Sequence, residues 1–123
     1  MKALAVTKQL IIVVDDDPGM LEAIKLLLGA HEFDVEGFAS GDALRARGRL
    51  ADARCLVLDV NIPGCSGIEL RRRLASAGTS VPVIYITGND SEIVRKDALD
   101  SGCVAYLRKP FRAASLIEAI EKT

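Results

Sequence analysis

Short apolar runs alternate with segments of helical period along the whole sequence, and this alternation restricts the possible folds more than any other feature. Each apolar run has the length of a β strand, and a turn and an amphipathic helical pattern follow it. The predicted strands are Leu10–Val14, Phe33–Gly37, Cys55–Leu58, Val81–Ile86 and Val104–Leu107. Repeated strand and helix units of this kind are typical of α/β proteins with a parallel sheet.

Local signals place a helix after each strand. Asp17 and Pro18 are a typical helix start, and we expect Gly29 to end this first helix. The later helices are predicted over about residues 41–48, over about 67–77 behind a Ser66 and Glu69 capping box, from Ser91 to Gly102, and over Ala113–Lys122. Strict alternation of five strands and five helices favours a flavodoxin-like (βα)5 fold, a doubly wound parallel five-stranded sheet.

Composition limits the function classes. The chain has 123 residues, 50% of them hydrophobic, which is enough for the core of one domain. A formal charge of −1 argues against direct nucleic-acid binding by this domain. The apolar runs are too short to span a membrane, Met1–Gln9 has no signal-peptide core, and the three cysteines show no metal-binding or disulfide spacing. We therefore expect a cytoplasmic protein without membrane association.

Polar residues follow the predicted strands at the edge where such sheets bind ligands. Asp15 and Asp16 follow the first strand, Asp59 follows the third, Thr87 the fourth, and Lys109 lies just beyond the fifth. Three carboxylates that converge in a partly buried cleft need a cation, and the lysine and a divalent metal are the candidates. All-oxygen ligands beside a phosphate favour Mg²⁺. The cluster therefore predicts a magnesium site.

Thr87 and Lys109 offer a hydroxyl and an ammonium group at the same edge, and both suit phosphate oxygens. No glycine-rich loop follows the first strand, so a small phosphorylated group is favoured over a nucleotide. Asp59 can itself accept the phosphoryl group, because a carboxylate nucleophile needs in-line access, a screening metal and donors to the phosphoryl oxygens.

Four sequence segments resemble the receiver domain of bacterial two-component response regulators. They are VVDDDPGM, LVLDVNIPGCSGIEL, VPVIYITGND and VAYLRKPF, which occur in this order within about residues 9–121. The amino-acid sequences of these segments are most similar to those of the FixJ-like branch of the family. Two departures are Cys65, where methionine is common, and Ala105, where a polar residue is frequent.

The resemblance implies the strand order 2-1-3-4-5 and a set of roles at the site. Asp59 would be the phosphoacceptor, Asp16 and Asp59 would ligate Mg²⁺ directly, Asp15 would do so through water, and the Asn61 backbone carbonyl would complete the protein ligands. Thr87, Gly88 and Lys109 would bind the phosphoryl oxygens.

The resemblance also implies a switch and partners. Thr87 would move toward the phosphoryl group, Tyr106 would turn inward, and the surface of helix 4, strand 5 and helix 5 would change. The Lys109-Pro110 peptide bond is usually cis in the family. The phosphoryl donor would be a sensor histidine kinase or a phosphotransfer protein, and the readout would be self-association or contact with an output domain.

The chain is predicted to be a single receiver domain over residues 1–123, with no output domain present and no turnover of an external metabolite. Two alternatives stay open. One is an Asp-nucleophile phosphohydrolase, although that class has D-x-D on its first strand while D-x-N follows the third strand here. The other is a receiver-like interaction domain that is no longer phosphorylated.

Overall fold

The computed structural model describes residues 8–123, and residues 1–7 of the predicted domain lie outside this range. The described part contains a five-stranded, fully parallel sheet in the order β2-β1-β3-β4-β5. Its elements are β1 (Leu10–Val14), α1 (Pro18–Ala30), β2 (Asp34–Phe38), α2 (Gly41–Arg47), β3 (Ala53–Asp59), α3 (Gly67–Ser76), β4 (Val83–Thr87), α4 (Glu92–Asp100), β5 (Ala105–Arg108) and α5 (Ala113–Glu121). The predicted fold class and strand order are confirmed.

Strand β1 shows why the sheet is covered on both faces. Successive side chains of a strand point to opposite faces, so a strand buried on both sides is apolar at every position. Ile12 and Val14 belong to one apolar cluster and Ile11 and Val13 to the other. Helices α2, α3 and α4 contribute to the first cluster, and α1 and α5 to the second.

Several predicted boundaries are wrong by one or two residues. Helix α1 continues through Gly29 to Ala30, and the chain turns at Glu32, whose φ of 67° is unusual for a residue other than glycine. Strand β4 begins at Val83 because Pro82 has no N–H, although the Pro82 carbonyl still accepts a bond from the Leu56 amide.

Four strands end one residue later than predicted, and two of these differences involve predicted site residues. Strand β2 runs one residue later than predicted, β3 extends to Asp59, β4 to Thr87 and β5 to Arg108. Asp59 and Thr87 are therefore the last residues of their strands and are held by the sheet itself.

The predicted helix starts agree with the hydrogen bonds. Asp17 accepts from the amides of Gly19 and Met20, and Ser66 accepts from the amide of Glu69. The carboxylate of Glu69 contacts Arg73 of the same helix at 3.5 Å. No helix in residues 8–123 is long and apolar enough to cross a membrane.

Gly67, the first residue of α3, lies directly against the backbone at the end of β3. Its amide donates to the carbonyl of Val60 at 2.9 Å. A Cβ at Gly67 would lie 2.3 Å from the backbone oxygen of Asp59, much closer than van der Waals contact allows. Only glycine lets the chain return this close to Asp59.

We predict that Gly67→Ala lowers the free energy of unfolding by about 2 kcal/mol or more, because the added methyl group overlaps backbone that cannot rotate away. The matched control is Gly29→Ala, since a Cβ at that helical glycine meets nothing within 4 Å. It should raise stability by up to about 1 kcal/mol through helix propensity. Urea unfolding of both variants checks this, and equal stability of the two would contradict the close approach.

Candidate functional site

The carboxyl ends of four neighbouring strands bring the predicted residues together. Asp15 directly follows β1, Asp59 and Thr87 end β3 and β4, and Lys109 directly follows β5. These strands lie side by side in the sheet, so their ends share one edge. Asp15, Asp59 and Thr87 are buried although they are polar.

The ammonium group of Lys109 lies between two buried carboxylates. Its Nζ donates to Asp15 Oδ2 at 2.7 Å and to Asp59 Oδ2 at 2.9 Å. Backbone amides hold the remaining oxygens, since Asp17 donates to Asp15 Oδ1 and Asn61 donates to Asp59 Oδ1, both at 2.9 Å. Both carboxylates are therefore fixed in position by one lysine and one amide each.

The site holds more negative than positive charge. Asp15, Asp16 and Asp59 each bring a carboxylate oxygen within 4.8 Å of the others. Burial raises the pKa of Asp15, and the nearby Asp59 adds to this, while the contacts with Lys109 and the Asp17 amide act in the opposite direction. Burial alone would lower the pKa of Lys109, but its contacts with Asp15 and Asp59 outweigh this effect and raise it.

These residues fit a hard divalent cation. The three carboxylates supply oxygen ligands, one lysine cannot balance them all, and Asp16 is exposed to solvent. Asp16 makes no ion pair within the described residues, unlike Asp15 and Asp59. A Mg²⁺ ion in a protein usually keeps several water ligands, so it needs a site that is acidic and open to solvent on one side. The exposed side of this cluster meets that need.

Thr87 and Asn61 lie next to the cluster. Thr87 Oγ1 accepts from the Asn89 amide at 3.1 Å and from Asn61 Nδ2 at 3.4 Å. Both contacts use the lone pairs of the hydroxyl and leave its proton for another acceptor. Ligation by the Asn61 carbonyl remains a prediction.

The remaining predicted residues surround this edge. The Lys109-Pro110 peptide bond is cis, and the Lys109 amide donates to the Thr87 carbonyl at 2.7 Å. Gly88 lies beside the lysine, because a Cβ there would be 3.9 Å from Lys109 Cδ. Within the described residues, Tyr106 makes no hydrogen bond to the acidic cluster, and its hydroxyl donates to Asp90 Oδ1 at 2.8 Å. Burial, with a further contribution from Asp90, raises the pKa of Tyr106 to about 12, so it is a neutral donor.

Sequence reasoning missed three of these contacts, namely the Asn89 amide and the Asn61 side chain on Thr87, and Asp90 on Tyr106. The available signal was the segment Gly88-Asn89-Asp90, whose residue types favour a turn directly after a strand. That signal predicts a turn but does not identify which side chains its residues meet.

Comparison with known proteins decides the family. The family model described as response regulator receiver domain matches residues 11–121. The chain belongs to this family. It is a response regulator receiver domain, and the curated relatives it matches are response regulators and a transcriptional regulatory protein.

The relatives support the predicted branch. The receiver is 37% identical over 114 residues to the response regulator protein TmoT of Ectopseudomonas mendocina, a match that covers 92% of this chain and 51% of TmoT. It is 34% identical to the transcriptional regulatory protein FixJ of Azorhizobium caulinodans, over 88% of this chain and 51% of FixJ. The solved structure of FixJ-N superimposes with a TM-score of 0.83 at 31% identity and covers 95% of this chain and 94% of that one. The chain thus spans about half the length of the curated relatives it matches.

We predict that Asp16→Asn stabilises the metal-free receiver and removes most of its stabilisation by Mg²⁺. The first effect, about 0.5 kcal/mol, follows because the change relieves repulsion with Asp15 and Asp59 at a partly solvated site. The second follows because a ligand that binds only the folded state stabilises it. Urea unfolding with a chelator and with excess Mg²⁺ measures both effects.

The matched control for this experiment is Asp17→Asn. It makes the same charge change one residue later, and asparagine retains the helix cap. This control should gain as much from Mg²⁺ as the unchanged receiver does. An Asp16→Asn variant that gains equally would show that the acidic cluster is not the metal site.

Proposed function

We propose that this receiver is a phosphorylation switch in which Asp59 accepts a phosphoryl group from a phosphohistidine of a sensor histidine kinase or a phosphotransfer protein. The observation that carries the proposal is the environment of the Asp59 carboxylate. Lys109 and the Asn61 amide fix this carboxylate, and two further carboxylates each bring an oxygen within 4.8 Å of it. Asp59 is the last residue of β3, and Thr87 is the last residue of the neighbouring strand β4.

In the transfer, an oxygen of the Asp59 carboxylate forms a bond to phosphorus while the bond between phosphorus and the donor imidazole nitrogen breaks. The bonding pair of electrons returns to the imidazole, and the product is an aspartyl phosphate. The Thr87 hydroxyl, the Gly88 amide and the Lys109 ammonium then donate to the phosphoryl oxygens.

The residues proposed to hold Mg²⁺ are Asp16 and Asp59 directly, Asp15 through water, and the Asn61 backbone carbonyl. When bound, Mg²⁺ supplies positive charge that reduces the repulsion between the carboxylate and the incoming phosphoryl group. Asp15 keeps Lys109 in place at the same time, because its buried carboxylate accepts from the half-buried ammonium group at 2.7 Å.

The proposed signal leaves the site through β4 and β5. Thr87 and Lys109 lie at the ends of these two strands, so new contacts with a phosphoryl group act on them and not on α1 or α2. Tyr106 lies on β5 and would turn inward as Thr87 moves. The altered surface of α4, β5 and α5 would control self-association or contact with an output domain, as a ligand-driven change in the populations of two states.

We predict that acetyl phosphate with Mg²⁺ adds one phosphoryl group to the receiver and that Asp59→Asn abolishes the addition. Intact-mass spectrometry measures the gain, and Asp17→Asn is the control that should react like the unchanged protein. Chelation of Mg²⁺ should also stop the reaction. Addition to Asp59→Asn at the wild-type rate would exclude Asp59 as the acceptor.

We also predict that beryllofluoride, a phosphoryl mimic, changes amide hydrogen exchange mainly in α4, β5 and α5, and that Thr87→Ala greatly reduces these changes. The reason is that Thr87 supplies one of the new contacts at the end of β4. Thr79→Ala makes the same chemical change ahead of β4 and should leave the response intact. Changes concentrated in residues 18–48, or insensitivity to Thr87→Ala, would contradict the route through β4 and β5.

A further inference from the structure

The carboxylate of Asp90 contacts two side chains of β5. The Tyr106 hydroxyl donates to Asp90 Oδ1 at 2.8 Å, and Arg108 Nη1 lies 3.8 Å from Asp90 Oδ2. Tyr106 is half-buried, whereas the Arg108 side chain is 71% exposed. The hydrogen bond from Tyr106 is therefore the closer and better-shielded of the two contacts.

The position of Asp90 links this contact to Thr87. Asp90 lies three residues after Thr87, in the turn before the Ser91 cap of α4. Thr87 Oγ1 accepts from the Asn89 amide, so the threonine hydroxyl and the Asp90 backbone belong to one short turn. Thr87 pairs with Arg108 and Tyr85 pairs with Tyr106 in the parallel register of β4 and β5. Side chains two residues apart on a strand share a face, so Tyr106 and Arg108 both lie on the α4 side with Tyr85.

We propose that Asp90 is a positioning residue that holds Tyr106 outward in the unphosphorylated receiver and thereby sets how strongly phosphorylation must act to switch it. This inference rests on the proposed function. An inward turn of the Tyr106 ring moves its hydroxyl away from Asp90 and breaks the hydrogen bond. A movement of Thr87 toward Asp59 also displaces the turn that carries Asp90.

The contact acts on the equilibrium between the two states. It stabilises the outward state only, so its loss reduces the free energy needed to reach the inward state. A ligand that binds the inward state then shows a tighter apparent affinity, by the factor by which that state becomes more populated. Removal of the contact should therefore make the receiver more sensitive to a phosphoryl group or to its mimic.

The test is a titration of the full chain with beryllofluoride in excess Mg²⁺, followed by amide NMR signals of residues 87–90. Asp90→Ala removes the acceptor and should lower the half-saturating concentration by roughly three- to tenfold, the effect expected for loss of a partly exposed hydrogen bond to a charged group. Tyr106→Phe removes the same bond from the other side and should have a similar effect. Asp100→Ala is the matched control, because it makes the same change at Asp100, which pairs with Lys96 on the outer side of α4.

The combination of Asp90→Ala with Tyr106→Phe separates positioning from simple electrostatics. If Asp90 acts through Tyr106, the double variant should match Tyr106→Phe. If Asp90→Ala strengthens binding equally in the Tyr106→Phe background, the effect is only the loss of a negative charge near an anion site, and the inference is overturned. An Asp90→Ala variant that titrates like the unchanged receiver overturns it as well. Absence of any response in the unchanged receiver would overturn the proposed function and this inference with it.

Discussion

The bridge from Lys109 to Asp15 and Asp59 is the interaction on which the functional edge of the sheet depends. It joins residues that are 94 and 50 positions apart in the chain and connects the ends of β1, β3 and β5. Two buried carboxylates in this arrangement would repel each other strongly without the ammonium group. The same lysine leaves the third carboxylate, Asp16, without compensation, and this remaining negative charge is what makes the site suitable for a divalent cation. The two contacts of Lys109 thus hold the ends of three strands together and leave the negative charge that a cation can bind.

Helix α4 buries little apolar side-chain surface against the sheet, and polar contacts connect it to its neighbours. Ala98 is its fully buried side chain, whereas Ile93 is 83% exposed. Polar contacts connect α4 and its flanking turns to their neighbours, namely Arg72 to Asp97 at 2.5 Å, the Tyr85 hydroxyl to Ser101 at 2.8 Å, and Tyr106 to Asp90. Elements that have few buried apolar contacts and are held by polar contacts near solvent rearrange at a low cost in free energy. The packing of α4 therefore suits the part of the surface that we propose to change on phosphorylation.

Sequence patterns predicted the fold and the acidic cluster because both follow from short-range regularities. Apolar runs identify parallel strands, and the carboxyl ends of such strands must meet, so Asp15, Asp59, Thr87 and Lys109 could be placed at one edge before any coordinates were available. The predicted end of α1 is wrong because glycine disfavours a helix by only about 1 kcal/mol, and the turn uses Glu32 instead. The contact between Asp90 and Tyr106 was not predicted because it depends on the register of β4 and β5 and on the path of one turn. Neither is encoded in residue type or spacing.

The proposed transfer also explains why the site needs both Lys109 and a metal ion. An aspartyl phosphate carries more negative charge than the carboxylate it replaces, so the demand for positive charge at the edge increases. To donate to a phosphoryl oxygen, the Lys109 ammonium must give up part of its present contact with Asp15 or Asp59. Asp15 is fully buried, and this burial raises its pKa because it disfavours the charged form. A cation held by Asp16 and Asp59 near Asp15 would compensate for that loss. The lysine would then be free to follow the phosphoryl group, and its movement at the end of β5 would be transmitted to the strand that carries Tyr106.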